Sequence, residues 1–339
     1  MIFWEIKKLF KSKIGWISLG LFVFLCGVSV FLKPVLETEN IYRNEKYELI
    51  KDTRSKEIIA QEKLDQKMNQ IKEMASYNGD DDFSQNLKII SKKKLKAIEN
   101  TKYQDVSFFK VFNHRITHPF INSVMMIILV LIFSNIYTDE RVSGMNDIIL
   151  SSKNKFKVLY SKLEMSIFLP IILYIAYISV TFIITIFQYG PPVHGQLQAF
   201  RIIDFAGLLK EPYTIYEYLI LKMGVMILIF TTISVFASFF SFATTTSLAA
   251  ISGSVLFIGA GKVVTVMKFL PYSLVMIMST SNYIDIMFHM EQFVGMYLGH
   301  VHILGINVEI VYMCNIFLVS MLGIGIGSCI FTFKKVLTK

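Results

Sequence analysis

The stretch Ile136-Tyr-Thr-Asp-Glu-Arg-Val-Ser-Gly-Met-Asn-Asp-Ile-Ile-Leu-Ser-Ser152, continuing to Lys162, decides how this chain is read. An apolar run, Phe120–Tyr137, leads straight into it, and another, Ile167–Phe187, follows it. Asp139, Glu140 and Arg141 stand where the first run stops. Met145, Ile148 and Ile149 then recur at the spacing of one short helical face. Lys153, Lys155, Lys157 and Lys162 precede the return to apolar sequence. A small ordered element between two membrane spans is a handle that another protein can push.

Composition places the rest of the chain around that handle. Of 339 residues, 54% are hydrophobic and 17% charged, with mean hydropathy +0.54. Soluble domains carry about a quarter charged residues. So much apolar side chain exceeds what one soluble core hides, and lipid must solvate part of it. The net charge of +9 reads as attraction to anionic inner-leaflet lipid and not to nucleic acid. Cys26, Cys314 and Cys329 all fall in apolar runs, so no disulfide framework is implied.

A bilayer core needs about 20 mostly apolar residues per helical span. Six runs qualify: Ile14–Leu32, Phe120–Tyr137, Ile167–Phe187, Tyr218–Phe242, Leu248–Leu270 and Ile310–Phe333. Each must be helical, because unpaired backbone groups are not tolerated in hydrocarbon. The predicted fold class is therefore all-α, a polytopic protein of six transmembrane helices. The first run is too long for a signal peptide and reaches Lys33-Pro34 without a small-x-small site, so it is read as retained. Lysines cluster at residues 7–13, 153–162 and 334–339. Six alternating spans put all three clusters, and both termini, in the cytosol.

Residues 1–13 read as an interfacial elbow helix leading into the first span at 14–33: Ile2, Phe3, Ile6, Leu9 and Phe10 share one face, with lysines opposite. Residues 34–115 form an extracytosolic insert, expected as a helical hairpin. Ile41, Leu49, Ile58, Ile59, Leu64, Met68, Ile71 and Met74 are spaced for one long amphipathic helix, Asn78–Asp82 signals a turn, and a second helix follows through Leu87, Ile90, Leu95 and Ile98. Residues 116–339 hold the other five spans, with outer loops at 188–217 and 271–309. Pro271–Met278 is apolar but too short to span, which fits a dip into the leaflet or a lid over a cavity.

Enzyme motifs are lacking. Gly259-Ala-Gly261-Lys262 lacks the first glycine and the Ser/Thr of a P-loop and lies within a span. Gly323-x-Gly325-x-Gly327, in the sixth span, reads as close helix packing. His114 and His118 stand four apart without the adjacent acid of a zinc protease, and His289, His300 and His302 share one outer loop. No metal site is expected from them.

Two intramembrane features carry two readings each. Thr231, Ser234, Ser238, Ser241 and Thr245 form a stripe on the fourth span, either a close-packing face or the lining of a translocation path. Lys262, about two turns inside the fifth span, either serves that path or snorkels to the surface.

With six spans, an elbow helix and this hinge, the chain resembles a permease subunit of the ABC type-2 exporter family. Glu140, Gly144, Leu150, Ser151, Ser152 and Lys162 match the family's pattern of Glu, Gly, Leu-Ser and basic residues before the third span, and Leu270-Pro271 matches the step after the fifth. The insert at 34–115 resembles that of members which export or resist antimicrobial peptides. The resemblance implies a subunit with no catalytic residues and no cofactor of its own, in a bacterial cell membrane. It implies two permeases, identical or homologous, around a path for an amphipathic peptide or lipid-like substrate. It also implies a separate cytosolic ATPase carrying ATP and magnesium, which pushes the elbow and a coupling helix at about 143–152. Glu140, Gly144, Met145, Ile148, Ile149 and Leu150 would make that contact, with Ser143 capping the helix. Its apolar face fits either a partner's groove or the lipid surface. Two other readings compete: an intramembrane enzyme using His114 and His118, and a sensory or structural membrane protein whose outer hairpin binds a ligand.

Overall fold

The computed structural model describes residues 2–43, 49–98, 101–267, 269–303 and 306–337. In chain order they form α1 (Ile2–Lys11), α2 (Lys13–Ser29), β1 (Ile41–Arg43), β2 (Leu49–Lys51), α3 (Lys56–Ser76), α4 (Asp82–Ala97), α5 (Ser107–Ile116) and α6 (Pro119–Ser134). The hinge helices α7 (Thr138–Val142) and α8 (Met145–Ser151) follow, then α9 (Lys155–Tyr189), α10 (Ile215–Ala243) and α11 (Ser247–Val266). The chain ends with α12 (Tyr272–Ser281), α13 (Tyr283–Phe288), α14 (Met290–Phe293), β3 (His300–Ile303), β4 (Ile306–Glu309) and α15 (Ile310–Leu337). The molecule is mostly helical, and its strands make two short antiparallel hairpins, β1–β2 and β3–β4.

Five stretches are long and apolar enough to cross a bilayer: α5 through α7, α9, α10, α11 and α15. A sixth exists if α1 and α2, bent by 84° at their junction, count together. Burial explains why lipid is needed. The apolar windows of α9, α11 and α15 have mean hydropathies of 2.5, 1.7 and 2.2 yet are only 22, 17 and 22% buried. Water would not tolerate that much continuous apolar surface. By contrast α10 is 61% buried and forms the axis of the bundle, enclosed by α6, α9, α11 and α15. At 35 residues, α9 is about 50 Å long, so its lysine-bearing first turns extend beyond a 30 Å hydrocarbon layer.

The bend between α1 and α2 has a local cause. The Ser12 hydroxyl accepts the Gly15 amide and caps α2. A Cβ on Gly15 would overlap the carbonyl of Leu9, so only glycine lets the two helices meet this closely.

The first half of the 34–115 segment departs from the expected long helix. Ile41 and Leu49 lie in the β1–β2 hairpin, and α3 begins only at Lys56, where Ser55 caps it. Leu64, Met68 and Ile71 do bury one face of α3, but against Phe200 and Ala206 of the loop before α10. This small cluster is shared between two segments, which is why so few apolar residues suffice. The turn at residues 77–81 is as expected, with Asp81 capping α4. The segment is not uniform either. In α5, Phe108, Phe109, Phe112 and Ile116 all belong to the main core, so its packing is that of the bundle. Residues 271–309 fold as three short helices and a hairpin, and α12 packs against both α11 and α15.

Candidate functional site

Three helices meet on one carboxylate. Glu140, in α7, is 3% exposed and accepts hydrogen bonds from Lys8 of α1 at 2.6 Å and Lys162 of α9 at 2.8 Å. Lys162 is fully buried and also donates to Glu5 of α1 at 2.9 Å and to the Ile136 carbonyl at 3.1 Å. Two acids and two lysines therefore balance in charge. Removing two such charges from water costs several kcal/mol each unless their partners are well placed. The arrangement is held for its geometry: it fixes α1, α7 and α9 relative to each other.

A second set of contacts seats α7 on the bundle. The Ser241 hydroxyl of α10 accepts the amides of Tyr137 and Thr138 at 3.0 and 3.2 Å. Thr138 Oγ1 lies 3.2 Å from Ser247 Oγ of α11. Arg141 donates to the Thr244 carbonyl and sits 4.9 Å from the centre of the Tyr137 ring. The first residues of the hinge are thus tied to both the elbow and the central helix.

From this mount α8 projects. Gly144 has φ +72°, a left-handed conformation at its N-terminus that turns the chain out of α7. A Cβ there would meet no atom within 4 Å, so the glycine is needed for its backbone conformation and not for space. Ser143 does not cap α8 as expected; its hydroxyl donates back to the Glu140 carbonyl at 3.2 Å, because the left-handed residue points the new helix away from it. Along α8, Met145 is 47% and Ile148 70% exposed, while Ile149 and Leu150 are half-buried. The outward apolar surface is therefore Val142, Met145 and Ile148, not the whole predicted face.

The hydroxyl stripe is placed inside the chain's own bundle. Thr231, Ser234, Ser238 and Ser241 are all buried on α10, where neighbouring helices surround it. Ser234 bonds back to the Phe230 carbonyl, and the Thr231 and Ser238 hydroxyls find no partner among the described residues. Thr245 is not part of the stripe: α10 ends at Ala243 and Thr245 is exposed in the turn to α11. Lys262 is neither in the stripe nor unpaired. Its amine sits 2.8 Å from both Asp285 carboxylate oxygens.

The remaining motifs take simple places. Gly259–Lys262 is continuous α-helix within α11. Gly325 packs closely, since a Cβ would come 3.0 Å from Val235 and Phe236, whereas Gly323 and Gly327 have open space. His114 and His118 stack edge to face with centroids 4.9 Å apart. Among the described residues no three His, Cys, Asp or Glu side chains converge as a metal site.

Lys162 and Glu140 were legible from the hinge pattern. Glu5 and Lys8 were not, because 157 and 132 residues separate them from their partners. Their one signal was an acid and a base three apart on the polar side of an otherwise apolar elbow. Comparison of the chain with known protein families, curated proteins and solved structures finds no match.

Proposed function

We propose that this chain is a permease subunit of an ATP-driven exporter of the ABC type-2 kind. In this reading it pairs with a second permease, identical or homologous, and with a separate cytosolic ATPase. The pair encloses a path for an amphipathic peptide or lipid-like substrate in a bacterial cell membrane, with both termini and α8 in the cytosol. The observation that carries the reading is the Glu5–Lys8–Glu140–Lys162 cluster, centred on the buried Glu140 and Lys162, beneath the exposed Val142, Met145 and Ile148. A helix that only lay on lipid would need no such rigid mount. A helix that receives force does, because a push on α8 is then passed at once to α1, α7 and α9, and through Ser241 to the central helix. The chain's own part is mechanical; the ATPase would supply the hydrolysis.

The stripe enters this reading differently from a path lining. Buried between helices of one chain, Ser234 and Ser238 would permit close approach and sliding of α10 against its neighbours.

The test is to replace Met145 and Ile148 by Glu together. Both are exposed, so the subunit should insert and fold as before. Two carboxylates facing a partner's apolar groove would cost several kcal/mol, so co-purification with the ATPase and stimulation of its ATP hydrolysis should both fall. Persistence of both would refute the reading. Orientation is checked separately: a membrane-impermeant thiol reagent should label a Cys at Asp80 from outside and spare one at Asn154.

A further inference from the structure

A second polar cluster lies where α13 and α14 are clasped to the bundle. Asn122 donates to the Met287 carbonyl at 3.0 Å. Lys262 of α11 holds Asp285. Asn113 of α5 donates to Glu291 Oε1 at 2.9 Å, and Lys222 of α10 lies 3.5 Å from the same oxygen. Lys222 is fully buried, yet its closest bond, 2.7 Å, goes to Asn113 Oδ1 and not to the carboxylate. Glu291 is thus only loosely paired, and its side chain remains 34% exposed.

What Glu291 faces is a hollow of about 180 Å³, lined by His114, His118, His289, Phe205 and Phe288 beside it. A neighbouring hollow of about 380 Å³, holding Lys262 and Asp285, shares His289. His118 Nδ1 accepts the Phe120 amide at 3.2 Å, so that imidazole is neutral and carries its proton on Nε2. Among the described residues that line the hollow, Glu291 is the one carboxylate. Phe205 and Phe288, both about half exposed, add two ring faces. An anion would meet the carboxylate's repulsion, and a metal ion lacks three converging ligands among the described residues.

We propose that this hollow is a binding site for an alkylammonium group. Glu291 takes the charge, His114 offers a ring nitrogen to a further N–H, and the phenylalanine rings contact the cation and its apolar stem. The bound ammonium replaces Lys222 as the closest cation to Glu291. A polyammonium molecule would extend past His289 towards Asp285 in the adjoining hollow. This site is independent of the exporter reading.

The experiment uses the full chain in phosphatidylcholine nanodiscs, with spermine as probe and per-acetylated spermine as the uncharged control. Calorimetric titration should give saturable binding of spermine and none of the control. Glu291→Gln should weaken binding about tenfold, as the loss of one charge-assisted hydrogen bond does. Phe288→Ala should weaken it as well. Lys222→Met removes the competing cation, so spermine should bind this variant more tightly than wild type and raise its unfolding temperature more. Should Glu291→Gln fail to fold, Phe288→Ala and Lys222→Met still decide. Equal binding of spermine and the control, or wild-type affinity in Phe288→Ala together with no gain in Lys222→Met, overturns the proposal.

Discussion

Two partly buried ion clusters fasten different parts of this molecule, and they differ in balance. At the hinge, Glu5 and Glu140 face Lys8 and Lys162, two acids for two bases. At the base of the insert, Glu37 alone receives Lys67 at 2.9 Å and Lys110 at 2.6 Å, and Lys110 has only the exposed Asp204, 3.5 Å away, as a second acid. Lys67 makes up the shortfall by donating to the Arg201 carbonyl at 3.1 Å, and Lys63 donates to the carbonyls of Leu36 and Glu39. A balanced cluster keeps its charges and is rigid. A cation-rich cluster depends on one carboxylate and can be released by protonating it. The hinge is fastened at several points; the insert is fastened by a single carboxylate.

The sharpest way to break the comparison is Lys162→Met. It leaves the buried Glu140, whose second oxygen already has no partner among the described residues, with the exposed Lys8 alone, and loss of one member of a buried pair costs about 3–5 kcal/mol. Both tryptophans, Trp4 and Trp16, lie in α1 and α2, so their fluorescence reports the elbow directly. Their emission should change and the unfolding temperature fall. An unchanged spectrum would mean that the cluster does not position the elbow.

Glu37→Gln is the counterpart, with a smaller cost of about 2 kcal/mol, because Lys67 keeps its carbonyl bond. Limited proteolysis should cut α3 and α4 while tryptophan emission stays as in wild type. Acid should do the same to the unaltered protein. Burial pushes the Glu37 carboxyl up, but Lys67 and Lys110 outweigh it and hold it below its ordinary 4.5. A carboxylate whose pKa is lowered on folding stabilises fully above the unfolded value and loses that contribution as pH falls through the folded one. Protease sensitivity of the insert should therefore appear below pH 4.5 and be absent from 5 to 7, with Glu37→Gln already sensitive at neutral pH.

Gly144→Ala should cost about 1–2 kcal/mol through backbone conformation alone, and Gly144→Asn less, since Asn tolerates the left-handed region. Co-purification with the proposed ATPase is the measurement, and equal behaviour of Ala, Asn and Gly would mean that α8 is not held in one direction. The smallest effect contrasts two members of one predicted stripe. Ser241→Ala strands two buried amides and should cost about 1–3 kcal/mol, whereas Thr245→Ala, in an exposed turn, should stay within about 0.5 kcal/mol.

Apolar run length alone determined that this is a helical membrane protein, and it placed most of the long apolar helices within a few residues, although α9 begins at Lys155, well before the expected Ile167. It did so because hydrocarbon thickness and backbone satisfaction leave a run of about 20 apolar residues one structure. The glycine at 144 and the polar hinge were legible for a similar reason: local backbone geometry is written in local residues. Which charges meet was not. Nothing in the order of residues joins Glu5 to Lys162, Lys222 to Glu291, or α3 to the loop before α10, because such pairs form only when helices far apart in sequence pack around α10. The same limit applies to hydroxyl residues. Equal spacing put Ser241 and Thr245 on one stripe, but the end of α10 at Ala243 made one a buried support for the hinge and the other part of a turn.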